Sequence, residues 1–296
     1  MAERSARAAE DVVSGCLACP NEAAYRFWAD LLKGRGDLDG AREVLLEGRQ
    51  AFPRSTPMLL ALARVERDLG RPHAAIAHLA SARRLAPHDP LLESEYRRLV
   101  LRHGHPEARA EAELEGLLRL AAGRWALDDL DGALQALARA ERQVADVPRL
   151  VAIVHHRRAL VRLGVGDARA AEADAAAGLA QGTEAEPLPM DTEVALQITR
   201  GEALLALGRY ADARGANRQA LDRDPTDPIA WANLAFAHLH LGEEDEATRA
   251  LQRAVQAGLA RHLTWEQLQG AAPDPAWLMR ADLRPALEAA WPNAAQ

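Results

Sequence analysis

Apolar residues recur along this chain at helical spacing, in short blocks broken by Gly, Asp and Pro. Tyr25, Trp28, Ala29 and Leu32 follow one another at spacings of 3, 1 and 3, which places them on one face of a helix. Gly34-Arg35-Gly36 ends that helix, and Asp37 or Asp39 is placed to cap the next by accepting from its free N–H groups. Ala41, Leu45 and Gly48 then mark a second helix that breaks at Pro53. The succession starts again with Leu59, Leu62 and Ala63, followed by Gly70, Ala75, Leu79, Ala82 and Pro87. Gly36, Ala41, Leu45 and Pro53 thus return as Gly70, Ala75, Leu79 and Pro87, each 34 residues on. Gly208, Ala213 and Ala220 return as Gly242, Ala247 and Ala254 at the same interval of 34. A fixed period of this length predicts an all-α solenoid made of helix pairs.

The period predicts about seven units. Residues 1–20 read as a short Ala-rich leading helix that ends near Pro20, and the first two units are expected at 22–55 and 56–89. A third, 90–113, is degenerate: it keeps Tyr96, Gly104 and Ala108 and loses the later pattern. The fourth, 114–147, carries Leu117, Leu120, Ala121, Ala133, Leu137 and Ala140; the fifth, 152–185, carries Ala159, Gly166, Ala171 and Gly178. The stretch from Gln181 to Asp191 holds Gly182, Pro187 and Pro189 and reads as an irregular loop. Units six and seven, 194–227 and 228–261, are the cleanest pair. The tail opens with Trp265 and closes with Trp277, Leu278, Leu283 and Leu287, an apolar face suited to covering the end of the last repeat. The expected organisation is an N-terminal helix at 1–20, a repeat array at 21–261 and capping helices at 262–296.

At the seventh unit the pattern resembles a known family. Trp231, Leu234, Ala235, Gly242, Ala247 and Ala254 stand where the tetratricopeptide repeat places a bulky residue, Leu, a small residue, Gly, Ala and Ala. The sixth adds Gly208, Tyr210, Ala213, Ala220 and the ending Leu221-Asp222-Arg223-Asp224-Pro225. The resemblance covers residues 21–261 and is weakest in the third and fifth units. It implies a right-handed superhelix whose first helices line a concave groove for a protein or peptide. The physics agrees, because Ala at the crossing points lets helices approach closely while Gly and Pro punctuate the turns.

Composition narrows the reading. Apolar residues make up 49% of the chain and aromatics only 4%, with Ala and Leu dominant, which suits packed helices rather than β-sandwiches. A formal charge of −7 argues against a general affinity for nucleic acid. No stretch approaches the roughly 20 uncharged apolar residues of a membrane span. Cys16 and Cys19 are the two cysteines. As half a zinc site they lack two further ligands, and Pro20 stands where a haem attachment would need His. Val13-Ser14-Gly15-Cys16 has the small-residue pattern of a lipoprotein cleavage site, but Arg7, Glu10 and Asp11 occupy the place of its apolar region. The expectation is a pair of reduced thiols in a cytoplasmic protein.

Constellations for catalysis or for a cofactor are not apparent in local spacing. Asp37-Leu38-Asp39-Gly40 and Asp129-Leu130-Asp131-Gly132 look like parts of calcium loops. Their first ligand positions would be Arg35 and Leu127 and their twelfth Leu46 and Ala138, so they read as inter-helix turns with capping Asp. No Gly-rich phosphate cradle and no GxSxG occurs. His155 and His156 are adjacent and point about 100° apart on a helix, so they do not converge on one metal. His238 faces the packing side in the repeat register and reads as a buried, hydrogen-bonded His. Trp28 and Trp231 read as core, whereas Trp125 falls on the groove side.

In the register that the resemblance implies, the groove of the first unit presents Arg26, Asp30 and Lys33. The second presents Leu60, Arg64, Arg67 and Asp68, and the third Ser94, Arg98, Leu101 and Arg102. Residues 50–105 hold nine Arg against five acids, a local +4 in a −7 chain. The expectation is a basic N-terminal groove whose Arg forks receive an acidic or carboxylate-bearing peptide; the alternative is a solvated helix face. The carboxylate clamp of chaperone-binding members is not matched, since its positions hold Arg26, Asp30, Ala61, Leu91 and Glu95. In the seventh unit Asn233 matches the groove Asn that holds peptide backbone, and Ile198, Leu205, Phe236 and Leu239 make that half more apolar. The function expected is a non-catalytic adaptor or scaffold without cofactor or metal, binding a protein or peptide through Arg26, Lys33, Arg64, Arg67, Arg98, Arg102, Trp125, Asn233 and Phe236. Two alternatives stand beside it: a regulatory or substrate-presenting subunit of an enzyme or assembly complex, and a membrane-associated assembly factor anchored through Cys16.

Overall fold

The computed structural model describes residues 21–272 and 274–292; the expected leading helix, with Cys16 and Cys19, lies outside the described residues. Fifteen α-helices and two short 3-10 turns account for the regular structure among them, with no strand. The chain divides into two compact units, Met1–Glu113 and Leu114–Gln296.

The first unit runs through α1 (Glu22–Gly34), α2 (Leu38–Ala51), α3 (Thr56–Asp68), α4 (Pro72–Leu85) and α5 (Pro90–His103). Asn21, Asp37, Ser55 and Asp89 each accept from a backbone N–H in the first turn of α1, α2, α3 and α5, satisfying donors that a helix leaves free. Between the helices of a pair the chain passes through Gly36 and Gly70 at φ 81° and 72°, a left-handed conformation that glycine adopts without a Cβ clash. Helix α3 explains why the pairs stack. Its Met58, Leu62 and Val65 join Ala29, Ala41 and Leu45 on one side, and its Leu59 and Ala63 join Ala75, Leu79 and Leu92 on the other. A helix apolar on two sides must be covered on both, which is how a solenoid builds a continuous core.

Helix α6 (Pro106–Ala126) is continuous for 21 residues. The units expected at 90–113 and 114–147 therefore have no turn between them. From Glu107 to Ala126 the chain is almost wholly Ala, Leu, Glu and Arg, strong helix formers, with no Pro and no Gly-Asp pair to stop them. Degeneracy of the third repeat is thus the fusion of two short helices into one.

The second unit continues with α7 (Leu130–Gln143), α8 (Pro148–Gly164), α9 (Ala168–Leu179), α10 (Met190–Ala206), α11 (Tyr210–Arg223), α12 (Pro228–His240) and α13 (Glu244–Gln256). First helices α8, α10 and α12 pack side by side, and each also packs against its second helix, α9, α11 or α13. Ala133, Ala171, Ala213 and Ala247, the recurring small positions, are all 0% exposed, so no larger residue fits there without pushing helices apart. Residues 180–189 are irregular, as their Gly and Pro content predicts. Asp128 adopts φ 60° where other repeats turn through Gly, and Asp129 caps α7. A charged cluster is enclosed by α7, α8 and α9: Asp174, 4% exposed, accepts from Arg158 at 2.8 Å and lies 2.8 Å from Arg162. Arg158 also reaches Glu141 at 2.5 Å, and His155 lies beside both carboxylates.

Short helices α14 (Trp265–Ala271) and α15 (Arg284–Ala290) follow. Leu268, Trp277, Leu278, Leu283, Leu287 and Trp291 bury themselves in one cluster with Leu251 and Ala254 of α13. Each such side chain is worth about 1.5–3 kcal/mol when taken out of water, which is what covers the last pair. Trp277 Nε1 donates to Thr248 at 3.3 Å and Trp291 Nε1 to Leu263 O at 3.0 Å, so both indoles are buried with their polar atoms satisfied. Among the described residues no helix is long and apolar enough to cross a membrane.

Candidate functional site

The cations expected to line an N-terminal groove are largely engaged within the first unit. Lys33 reaches Asp68 at 2.5 Å, and Arg67 donates to the same carboxylate at 3.0 Å. Burial opposes the ionisation of Asp68, yet hydrogen bonds from Lys33 and Arg67 hold its pKa below the usual carboxylate value. Arg64 donates twice to Glu95, at 2.7 and 3.2 Å, and Arg26 lies 3.7 Å from Glu22. Arg98 and Arg102 are exposed, and neither has an ion-pair partner among the described residues. For Lys33 and Arg64 the partner sits about one repeat away on the neighbouring first helix, whereas Arg67 and Arg26 pair within their own helices.

The C-terminal residues are placed differently. Phe236 and Asn233 on α12 are 6% and 8% exposed, and Phe236 belongs to the large apolar cluster of this unit with Ile198, Leu205 and Leu239 at its edge. The Asn233 Nδ2 has no hydrogen-bond partner among the described residues, so a buried donor is left unsatisfied there. On α10, desolvation raises the pKa of Glu202 above the usual carboxylate value. On α8, burial and then the charge of Arg157 hold the His156 pKa down at about 4.

Trp125, at the end of α6, is 41% exposed and lines a cavity of about 380 Å³ within the second unit. Leu118, Ala121 and Ala122 of the same helix, Leu137 of α7, and Leu160 and Val161 of α8 supply its apolar lining. The indole lies against Gly164, where a Cβ would stand 2.7 Å from the ring. Gly164 is therefore the residue that admits the ring. Three charged side chains border the cavity: Glu115 and Arg119 pair at 2.5 Å, while Arg157 has no ion-pair partner among the described residues. Sequence reasoning singled out Trp125 and missed Leu118 and Arg157. Leu118 belongs to a helix whose fusion hid its register, and Arg157 stood out in sequence only as the neighbour of two histidines.

Two stretches of the chain match family profiles described as tetratricopeptide repeat, residues 28–90 and 192–263. A search of curated proteins finds no match. Among solved structures, the chain is similar to a tetratricopeptide repeat protein from Parabacteroides merdae ATCC 43184, with 14% identity, a TM-score of 0.43, and coverage of 90% of this chain and 98% of that one. It is also similar to yeast Tom70, with 15% identity, a TM-score of 0.41, and coverage of 96% of this chain and 49% of that one. The Cut9–Hcn1 hetero-tetramer of the APC/C gives 15% identity and a TM-score of 0.43, covering 95% of this chain and 46% of that one. This chain thus spans about half the length of each of the latter two. Residues 28–90 and 192–263 are thus each similar to the tetratricopeptide repeat.

Proposed function

We propose that this chain is a non-catalytic adaptor that binds a protein or peptide segment on the first helices of its repeats, with the cavity beside Trp125 as the anchoring point. The observation that carries the reading is the chemistry of that cavity. An apolar lining of Leu118, Leu160 and the Trp125 ring suits one large apolar side chain, worth about 1.5–3 kcal/mol on burial. The guanidinium of Arg157, without an ion-pair partner among the described residues, suits an acidic residue or chain end next to that side chain. Trp and Arg are also the residue types that concentrate binding energy at protein interfaces. A cytoplasmic site of action belongs to the same proposal and rests on the reading of Cys16 and Cys19 as reduced thiols.

The test uses an array of short peptides that pair Leu, Phe or Trp with Asp or Glu, probed with the full chain, with affinities then measured by fluorescence anisotropy. Trp125→Ala and Arg157→Glu are each expected to weaken binding at least about tenfold while the far-UV CD spectrum is unchanged. Peptides bound equally by both variants and by the wild type sink the reading. A second reading keeps the acidic-peptide surface in the first unit and is supported by the exposed Arg98 and Arg102. Loss of binding in an Arg98→Glu/Arg102→Glu variant, with Trp125→Ala unaffected, selects it over the first.

A further inference from the structure

The two layers of the second unit are not spaced alike. First helices α10 and α12 pack against each other, whereas second helices α11 and α13 pack against each other less, and a cleft of about 490 Å³ opens between them over α12. Its floor is apolar: Leu221 and Leu234 are 8% and 5% exposed. Beside them lies the Trp231 ring, with the Arg253 guanidinium 4.8 Å from its centre.

The polar groups of the cleft converge from three helices. His238 of α12 lines it while 4% exposed. Its Nδ1 is committed to the Glu243 carboxylate, which Arg214 holds in turn at 2.9 Å. Nε2 is therefore the ring nitrogen without a partner among the described residues, and its orientation is set from behind. Arg218 on α11 and Arg253 on α13 stand on opposite walls, and neither has an ion-pair partner among the described residues. Arg249 and Glu246 pair at 2.6 Å and cancel. Asp222 is the remaining acid of the lining, which leaves an excess of one positive charge.

We propose that this cleft binds a small organic oxyanion, a planar apolar body carrying a carboxylate or phosphate. The volume falls in the range of ligand pockets, about 300–1,000 Å³. Two guanidinium forks facing one space can each pair with two oxygens of a carboxylate or phosphate, and the Leu221, Leu234 and Trp231 surface covers the apolar body. The cleft shares no lining residue with the cavity beside Trp125, so it does not depend on the peptide surface there.

The test is isothermal titration calorimetry on the full chain with phenyl phosphate, 1-naphthoate and inorganic phosphate, repeated on an Arg218→Gln/Arg253→Gln variant and on Trp125→Ala. The expected result is a saturable one-to-one isotherm for at least one of the aryl anions. Inorganic phosphate should bind at least about tenfold more weakly, and the double variant should lose about tenfold per arginine with its CD spectrum intact. Trp125→Ala should bind as the wild type does. Preference between phenyl phosphate and 1-naphthoate assigns the head group. No saturable heat with either aryl anion overturns the proposal. So does equal affinity for inorganic phosphate, which marks an adventitious ion only. Undiminished binding by the double variant, or loss of binding in Trp125→Ala, overturns it as well.

Discussion

Replacing Arg158 by Met removes one cation from two carboxylates at once. Arg158 reaches Asp174 at 2.8 Å and Glu141 at 2.5 Å, with its own side chain 14% exposed and that of Asp174 4% exposed. Burial works against the charge on Arg158, but the hydrogen bond to Glu141 and the charge of Asp174 raise its pKa above the usual arginine value. Met keeps most of the aliphatic stem, so the loss is electrostatic rather than one of volume. Breaking a buried pair by removing one partner costs about 3–5 kcal/mol. Here Arg162 stays 2.8 Å from Asp174 and the Glu141 side chain is 34% exposed, which lowers the expected cost. We expect a loss of about 2–3 kcal/mol, seen as a fall of about 1 M in the urea midpoint followed by far-UV CD at neutral pH. Asp174→Ala on the same background removes the stranded charge. The double variant should therefore be less destabilised than the sum of the two single variants, by about 1–3 kcal/mol. A loss below about 0.5 kcal/mol for Arg158→Met, or strictly additive effects, would refute the view that this cluster is a coupled unit.

Two further outcomes are expected. His156, at about 4 in the folded chain against an ordinary 6.5, takes up its proton first in the unfolded state. Its contribution to stability is complete above pH 6.5 and is lost as pH falls toward 4. His156→Gln should flatten the dependence of Tm on pH across that window, and a slope equal to that of the wild type contradicts the assignment. Two helical glycines should respond oppositely to alanine. A Cβ at Gly201 would stand 2.3 Å from the Asn217 amide nitrogen, which is buried and donates to Ala213 O, whereas at Gly215 nothing lies within 4 Å. Gly201→Ala should lose about 1–2 kcal/mol despite the better helix former, and Gly215→Ala should gain about 0.5–1 kcal/mol. Thermal melts that rank the two variants the other way round contradict the packing described.

Much of the fold was legible in the sequence because its signals are local and periodic. Gly36, Gly70, Gly208 and Gly242 each take positive φ between helices, as the 34-residue echo implies. Ala41, Ala75, Ala213 and Ala247 are all fully buried. The absence of a turn within α6 was not foreseen. A repeat pattern tells where a helix pair recurs, whereas a fused helix depends on the want of a stop signal between two weak units. At Asp128 a non-glycine residue occupies the left-handed turn position where the other repeats carry Gly, so the turn leaves no glycine signal in the sequence.

The candidate site was less legible, for an electrostatic reason. Arg64 and Glu95 are 31 residues apart and meet at 2.7 Å, and Lys33 meets Asp68 at 2.5 Å across a similar span. Reading each helix face alone finds a row of cations; stacking the faces brings the acids of the next repeat within reach.

Periodicity in this chain therefore carries the helix pairs, their turns and their small-residue contacts, since each depends on residues within one repeat and on geometry that any solenoid must satisfy. Three things came from folding: which charges cancel, which polar groups lie buried without a partner, and where a cavity stays open. Arg157 beside Trp125, and Arg218 across from Arg253, acquire meaning from the spacing of neighbouring helices. That spacing is set by side-chain volumes summed over several repeats, and no window of the sequence contains it.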